Sequence, residues 1–233
     1  MTGVSLERWQ EAQKAERSFW SKDGFGLDAF RGTVGGSMQT AAWARPHLQV
    51  PTGDWLDIGV GPLGVGCTHF LERDGELHTL DPIEPTPADE WQLPEPCKAL
   101  VRSCQETTAS HVGQAEQIDF RDDTFAFVAL ENMLDHVQDP GAVLREVRRV
   151  LMPGGHVLVA VDTYSALGEI RYRLITRRRQ RNTILVRAHP HRFSSNDVVQ
   201  IVTAAGLRIA HADTPSRVIA TAGRGYRMRL LAV

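Results

Sequence analysis

Short apolar runs alternate with helix-length amphipathic segments from Asp54 onward, and that alternation is the strongest signal in the chain. Trp55–Ile58 reads as a buried strand that ends in the glycine loop, and Glu76–Leu80 as a second strand, closed by Asp81-Pro82. A short strand is expected near His111-Val112, a longer one over Thr124–Leu130, and the most hydrophobic over His156–Val161. Runs that stay apolar without alternating are strands buried on both faces, as in a mainly parallel sheet covered by helices. Helices are expected around Lys98–Gln105 and from Pro140 through Ala142–Leu151, where Pro153-Gly154-Gly155 breaks the second. Tyr164 to about Arg181 also reads as helical. Ser194 or Ser195 caps a helix through Ala205 that Gly206 stops, and Leu207–Ala212 and Tyr226–Val233 supply the last strands.

The segment before Asp54 has a different pattern. Ser5 can cap a helix reaching about Trp20, with Leu6, Trp9 and Phe19 among its apolar contacts. Gly24, Gly26, Gly32, Gly35 and Gly36 then predict a flexible connection, read equally as a lid or as a surface linker, before a short helix near Met38–Ala44. The organisation expected is therefore an N-terminal helical extension over residues 1–46 and one α/β domain over 47–233.

Composition narrows the class of protein. The chain has 233 residues, enough for one such domain, and 42% are hydrophobic. A formal net charge of -2 provides no global basic field, which argues against a nucleic-acid partner. No apolar run approaches the roughly 18 residues of a membrane span, and Met1–Gln10 lacks the apolar centre of a signal peptide. Cys67, Cys97 and Cys104 match no zinc spacing and read as thiols of a reducing cytoplasm, and His189 and His191 have no third ligand at supporting spacing, so no metal is expected.

Gly59, Gly61 and Gly64 satisfy a G-x-G-x-x-G pattern between a strand and a helix, where backbone must come close to a ligand. Asp57 shifts the balance among ligands. A carboxylate two residues before the first glycine repels a dinucleotide's pyrophosphate but suits a cationic ligand, although Asp57 could also simply cap the turn. Asp81, at the end of the second strand, is placed to accept hydrogen bonds from ribose hydroxyls, with Pro82 and Ile83 positioned to pack on an adenine ring.

Five segments in order resemble the motifs of class I S-adenosylmethionine-dependent methyltransferases. They are Trp55–Gly64; Leu80-Asp81-Pro82; Gly113-Gln114-Ala115-Glu116 with Ile118-Asp119-Phe120; Glu131–Pro140; and Arg145–Gly155. The resemblance covers roughly Asp54 to Asp162. It implies a Rossmann-like α/β fold with a seven-stranded, mostly parallel sheet, helices on both faces and an antiparallel last strand. It also implies S-adenosyl-L-methionine as donor, with S-adenosyl-L-homocysteine as product. The cofactor-binding residues it implies are Asp57, Gly59, Gly61, Asp81, Pro82, Gln114, Ala115 and Glu131, the last beside the sulfonium. Gln114 departs from the family's usual Asp at the adenine amino group, but an amide oxygen can still accept that bond.

The acceptor side is less specific. His136, just past the fourth strand, is the candidate catalytic base, with Asp135 or Glu131 to orient it; structural packing in the loop is the competing reading. Asp135, His189 and His191 are the acceptor-pocket candidates. Arg171, Arg173, Arg177, Arg178, Arg179 and Arg181 form a basic cluster that suits an anionic partner, a solvated face or an interface. The expected activity is methyl transfer by in-line displacement to a small molecule, at oxygen. An RNA methyltransferase using residues 171–181, a cofactor-binding subunit without catalysis and an NAD(P) oxidoreductase are the alternatives, and a homo-oligomer is compatible with the sequence.

Overall fold

Alternate residues of the central strands pack into opposite faces of one sheet, and this division builds the molecule. The computed structural model describes residues 3–21, 24–165, 168, 170, 187–213 and 226–233. The strands are β1 (Trp55–Ile58), β2 (Leu77–Asp81), β3 (Ala109–Val112), β4 (Phe125–Glu131), β5 (Leu151–Thr163), β6 (Ile209–Asp213) and β7 (Tyr226–Ala232). They lie in the order β3-β2-β1-β4-β5-β7-β6. The pairs within β1–β5 are parallel, and β7 runs antiparallel to both β5 and β6. The seven-stranded Rossmann-like sheet expected from the motifs is therefore present. The strand order reverses direction at β1, whose C-terminal end opens beside that of β4, the position where open α/β sheets bind ligands.

Along β4, Val128 and Leu130 join the apolar layer that also holds Val143, Leu144 and Val147, while Phe127 and Ala129 join the layer that holds Ala41 and Ala44. The α-helices lying wholly within the described residues are α1 (Leu6–Phe19), α2 (Leu27–Ala44), α3 (Glu95–Glu106), α4 (Pro140–Val150) and α5 (Ser195–Ala204). In α4, the Asp139 carboxylate accepts the amides of Gly141 and Ala142, and Pro140 starts the helix where its missing N–H costs nothing. Its buried Val143, Leu144, Val147 and Val150 form one stripe, each stabilising by about 1.5–3 kcal/mol.

Three sequence expectations change. The glycine-rich segment is not a loose connection: residues 27–44 form one helix. Phe30, Val34, Ser37, Ala41 and Ala44 are buried at helical spacing, so packing overrides the glycines' poor propensity. α2 thereby covers one face of the sheet, although it lies within the segment expected to be an extension. Pro153-Gly154-Gly155 does not separate a helix from a later strand. β5 begins at Leu151, and the three residues form an irregularity where the β4 register jumps from Phe125↔Leu151 to Phe127↔His156. β2 includes Asp81 itself. Most of the helix expected over Tyr164–Arg181, with the whole arginine cluster, lies outside the described residues.

One glycine outside the motif is fixed by close approach. A Cβ on Gly66 would stand 2.2 Å from Oδ2 of Asp57, a carboxylate buried to 1% exposure. Gly35 has nothing within 4 Å of the same position. Gly66→Ala is therefore expected to destabilise the protein by about 1–3 kcal/mol through overpacking. Gly35→Ala should stabilise it by about 0.5–1 kcal/mol through helix propensity. Urea denaturation of the two variants checks both signs.

Candidate functional site

β1 ends at Ile58 and the chain turns back through glycines whose backbone only glycine adopts easily. Gly59 and Gly61 have φ of +81° and +65°. A Cβ on Gly59 would meet the Met133 side chain at 2.4 Å, and one on Gly61 would meet the Trp20 indole at 2.7 Å. The loop therefore passes between the β4 exit and Trp20, with no room for a side chain at Gly59 or Gly61. The Asp81 carboxylate anchors it to β2: Oδ2 accepts the Gly61 amide and Oδ1 the Ile83 amide, both at 2.8 Å. Burial pushes Asp81 up to about 6 against the opposing pull of those two amides.

Below this loop is Asp57. Its Oδ2 accepts the Thr68 hydroxyl at 2.7 Å and the Thr68 amide at 3.3 Å. Burial raises its pKa to about 7; the Thr68 bonds oppose that rise and the Glu131 charge adds to it. Asp57 thus braces the chain after the loop and also borders the cavity above it.

That cavity, of about 290 Å³, runs along the C-terminal ends of the strands. Asp81, Pro82, Ile83, Gln114 and Ala115 are among the residues that line it. Glu116 faces a different task, accepting the amides of Gln138 at 2.7 Å and Asp139 at 3.3 Å and so tying this segment to the loop after β4. Glu131 closes β4 and accepts the Ser37 hydroxyl at 2.7 Å on Oε2, while Oε1 is buried without a hydrogen-bond partner.

α1 forms the roof. Trp9, Gln13, Glu16 and Trp20, spaced 4, 3 and 4 residues apart, all line the cavity. Gln13 donates to the His136 carbonyl at 3.3 Å, and Glu16 Oε1 accepts the Trp20 indole N–H at 2.8 Å. The other Glu16 oxygen stands 3.2 Å from Nδ1 of His136, whose Nε2 is 3.7 Å from Asp135. Burial alone would lower the pKa of His136, but Asp135 and Glu16 outweigh it and raise it to about 9. Burial likewise pushes Glu16 up, and the His136 contact reverses this to hold Glu16 below its ordinary value.

His189 packs against the His136 ring, 4.3 Å between centroids, with Nε2 3.6 Å from Asp135. His191 turns its Nε2 to the Val137 and Gln138 carbonyls, at 2.9 and 3.2 Å, and so faces the loop backbone. The fold brings Asp135, His136 and His189 within 4.8 Å of one another, a trio that sequence spacing did not suggest. His136 stands between Asp135 and Glu16, and His189 reaches the other Asp135 oxygen, so the trio and Glu16 form one network of imidazole–carboxylate contacts.

Glu16, Ser37, Thr68 and Arg227 are site residues that the sequence reading missed. The Trp9–Trp20 stripe was a readable signal, since a helix face carrying Gln and Glu between tryptophans is a poor core face. Ser37 and Arg227 gave no local signal.

A profile of the methyltransferase-domain family matches residues 38–212. An uncharacterized methyltransferase of Schizosaccharomyces pombe is 30% identical over 129 residues, covering 51% of this chain and 46% of that protein. A ubiquinone biosynthesis O-methyltransferase of Aeromonas salmonicida is 30% identical over 126 residues, covering 54% and 39%. The matches thus span less than half the length of these two relatives. Among solved structures, the 1,6-didemethyltoxoflavin-N1-methyltransferase of Burkholderia thailandensis, bound to 1,6-didemethyltoxoflavin and S-adenosylhomocysteine, superposes with a TM-score of 0.66 at 17% identity, covering 98% of this chain and 90% of that one.

The ion pair across the roof has a defined pH range. His136, with its pKa raised, contributes stability that is full below its ordinary value of 6.5 and is lost as pH rises through about 9. Glu16, with its pKa lowered, contributes above its ordinary value of 4.5 and loses that contribution in more acidic solution. Glu16→Gln should therefore move the imidazole titration of His136 downward, as followed by NMR of the ring protons. A titration near 9 in both proteins would show that Glu16 does not hold the proton.

Proposed function

The chain belongs to the methyltransferase-domain family, of the class I S-adenosylmethionine-dependent kind, and we propose that it methylates a hydroxyl oxygen of a small molecule. The observation that carries the reading is the balance of charge around the cavity. Glu16, Asp57, Asp81 and Glu131 line it against the cations His136 and Arg227, an arrangement that repels a pyrophosphate and suits a ligand with a sulfonium and an ammonium.

When bound, S-adenosylmethionine supplies a methyl group already activated by its cationic sulfur. The residues of the chain do the rest. Asp81 keeps acceptor capacity for ribose hydroxyls after binding Gly61 and Ile83, because each carboxylate oxygen has two lone pairs. Ile83, Gln114 and Ala115 supply an apolar slot with one amide for the adenine, and the bare backbone of Gly59 and Gly61 admits the ligand close to β1. α1 covers this end and keeps water out, so that positioning of the acceptor can contribute several kcal/mol to the rate.

His136 is the proposed catalytic base for the acceptor hydroxyl. With a pKa of about 9, only about one ring in a hundred is free at pH 7, but that ring is a strong base, matched to a phenolic hydroxyl with a pKa of about 10. The name of the Aeromonas relative, an O-methyltransferase, supports oxygen as the target. Asp135 keeps the ring in place, and His189 is proposed to back it at the acceptor end.

Two measurements test this reading. Isothermal calorimetry should show binding of S-adenosylmethionine and S-adenosylhomocysteine but not NAD; binding of NAD alone would reject the donor assignment. A radiolabelled-methyl screen over phenolic and other hydroxylated molecules should identify an acceptor, with kcat rising from pH 7 toward 9. His136→Ala should lower kcat by about 10²–10⁴-fold and flatten that rise. Unchanged turnover in the variant removes His136 from the chemistry.

A further inference from the structure

Arg227 is the one strongly basic side chain lining the cavity among the described residues, and the mechanism above gives it no contact with the donor or the acceptor. It sits on β7, paired in register with Asp162 of β5, and reaches from there toward the end of β4. Its Nε donates to Asp162 at 3.0 Å and its Nη2 to the Asn132 side chain at 2.6 Å. Asn132 has a φ of +53°, an unfavourable left-handed conformation for a residue with a side chain. Its amide is nevertheless fixed there by a 2.7 Å bond to the Ala160 carbonyl. Two of the three guanidinium nitrogens are thus fixed in direction before any ligand arrives.

The third, Nη1, lies along α2 where the helix has no side chain: a Cβ on Gly36 would stand 3.2 Å from it. Its nearest anionic partner among the described residues is Glu131 Oε1, at 4.0 Å, too far for a hydrogen bond. That same oxygen is the buried one without a hydrogen-bond partner, while Ser37 holds its twin. The Glu131 side chain is only 9% exposed. A fixed cation and a fixed anion therefore face the cavity side by side, each with bonding capacity unused and separated by a gap. Glu131 is also close enough to Asp57, beneath the glycine loop, to influence its ionisation.

We propose that Arg227 and Glu131 form a clamp for the zwitterionic amino-acid end of the methyl donor, the guanidinium taking the α-carboxylate and Glu131 Oε1 the α-ammonium. The proposal rests on the donor assignment made above. An α-amino acid carries its two charges on either side of one carbon, so it can engage neighbouring groups of opposite sign together. Each interaction is a charge-assisted hydrogen bond. The carboxylate gives Nη1 a closer anion than Glu131, and the ammonium gives Glu131 Oε1 the donor it lacks. Ser37, Asp162 and Asn132 act as positioning residues, because they aim the clamp without touching the ligand's charges.

The test compares two ligands that share the adenosine thioether and differ in the amino-acid end: S-adenosylhomocysteine has it and 5′-methylthioadenosine does not. By isothermal calorimetry, Arg227→Met and Glu131→Gln should each weaken S-adenosylhomocysteine at least tenfold and leave 5′-methylthioadenosine within twofold. Arg227→Lys should retain part of the affinity because it keeps the charge. Equal weakening of both ligands would make the pair a scaffold and overturn the clamp. So would unchanged affinity for S-adenosylhomocysteine, as expected if Arg227 instead anchors an anionic acceptor. If Arg227→Met does not fold, as judged by circular dichroism, the Glu131→Gln and Arg227→Lys arms decide between the same outcomes. Should the unmodified protein bind neither ligand, the donor assignment itself fails, which is a separate result.

Discussion

The Asp57 carboxylate, buried at the end of β1, is the constraint on which the site depends. A charge with 1% exposure must be hydrogen-bonded or neutralised, and Thr68 supplies both a hydroxyl and an amide to one of its oxygens. Meeting that demand fixes the chain eleven residues downstream and leaves only glycine able to occupy position 66. The loop between is then pulled against β2 by Asp81, through the Gly61 amide. One acidic residue below the loop and one beside it therefore hold a glycine turn open as a ligand floor. The strands converge on it because the strand order reverses at β1.

Charge is distributed unevenly around that floor. The carboxylates of Asp57 and Asp81 lie under and beside the glycine loop, where burial pushes both pKa values upward. Such groups gain from a cationic ligand, which restores the ionised form that burial penalises. The cations have partners of their own: Arg227 is held by Asp162, and His136 stands between Glu16 and Asp135. The cavity can therefore discriminate by the sign and placement of a ligand's charges as well as by its shape.

The N-terminal helices complete this environment. α2 packs on the sheet through Ala41 and Ala44, brings Ser37 to Glu131 and leaves space beside Gly36 for the Arg227 guanidinium. α1 closes the top through Trp20 over Gly61 and Glu16 against His136. The Glu16–His136 contact therefore joins the roof to the loop after β4, and it also keeps the proposed base protonated until a proton is removed from the network.

The sequence alone determined the parallel α/β sheet, the glycine turn, and the residues at its mouth: Asp57, Gly59, Gly61, Asp81 and Glu131. These are legible because each is local. An apolar run must be buried, a glycine series must turn, and the strand end next to it must face the ligand. Only the C-terminal part of α2, Met38–Ala44, was legible, since the glycines before it argue against a helix until the sheet it packs on is present. Nor was the convergence of Glu16, Ser37 and Arg227, drawn from the two ends of the chain onto residues 131–136. The protonation of His136 was equally hidden, because it follows from two carboxylates whose distances exist only in the folded molecule. Sequence fixes which groups are available for chemistry. Coulomb energy and burial depend on separation in space, so only the tertiary structure decides which of them meet.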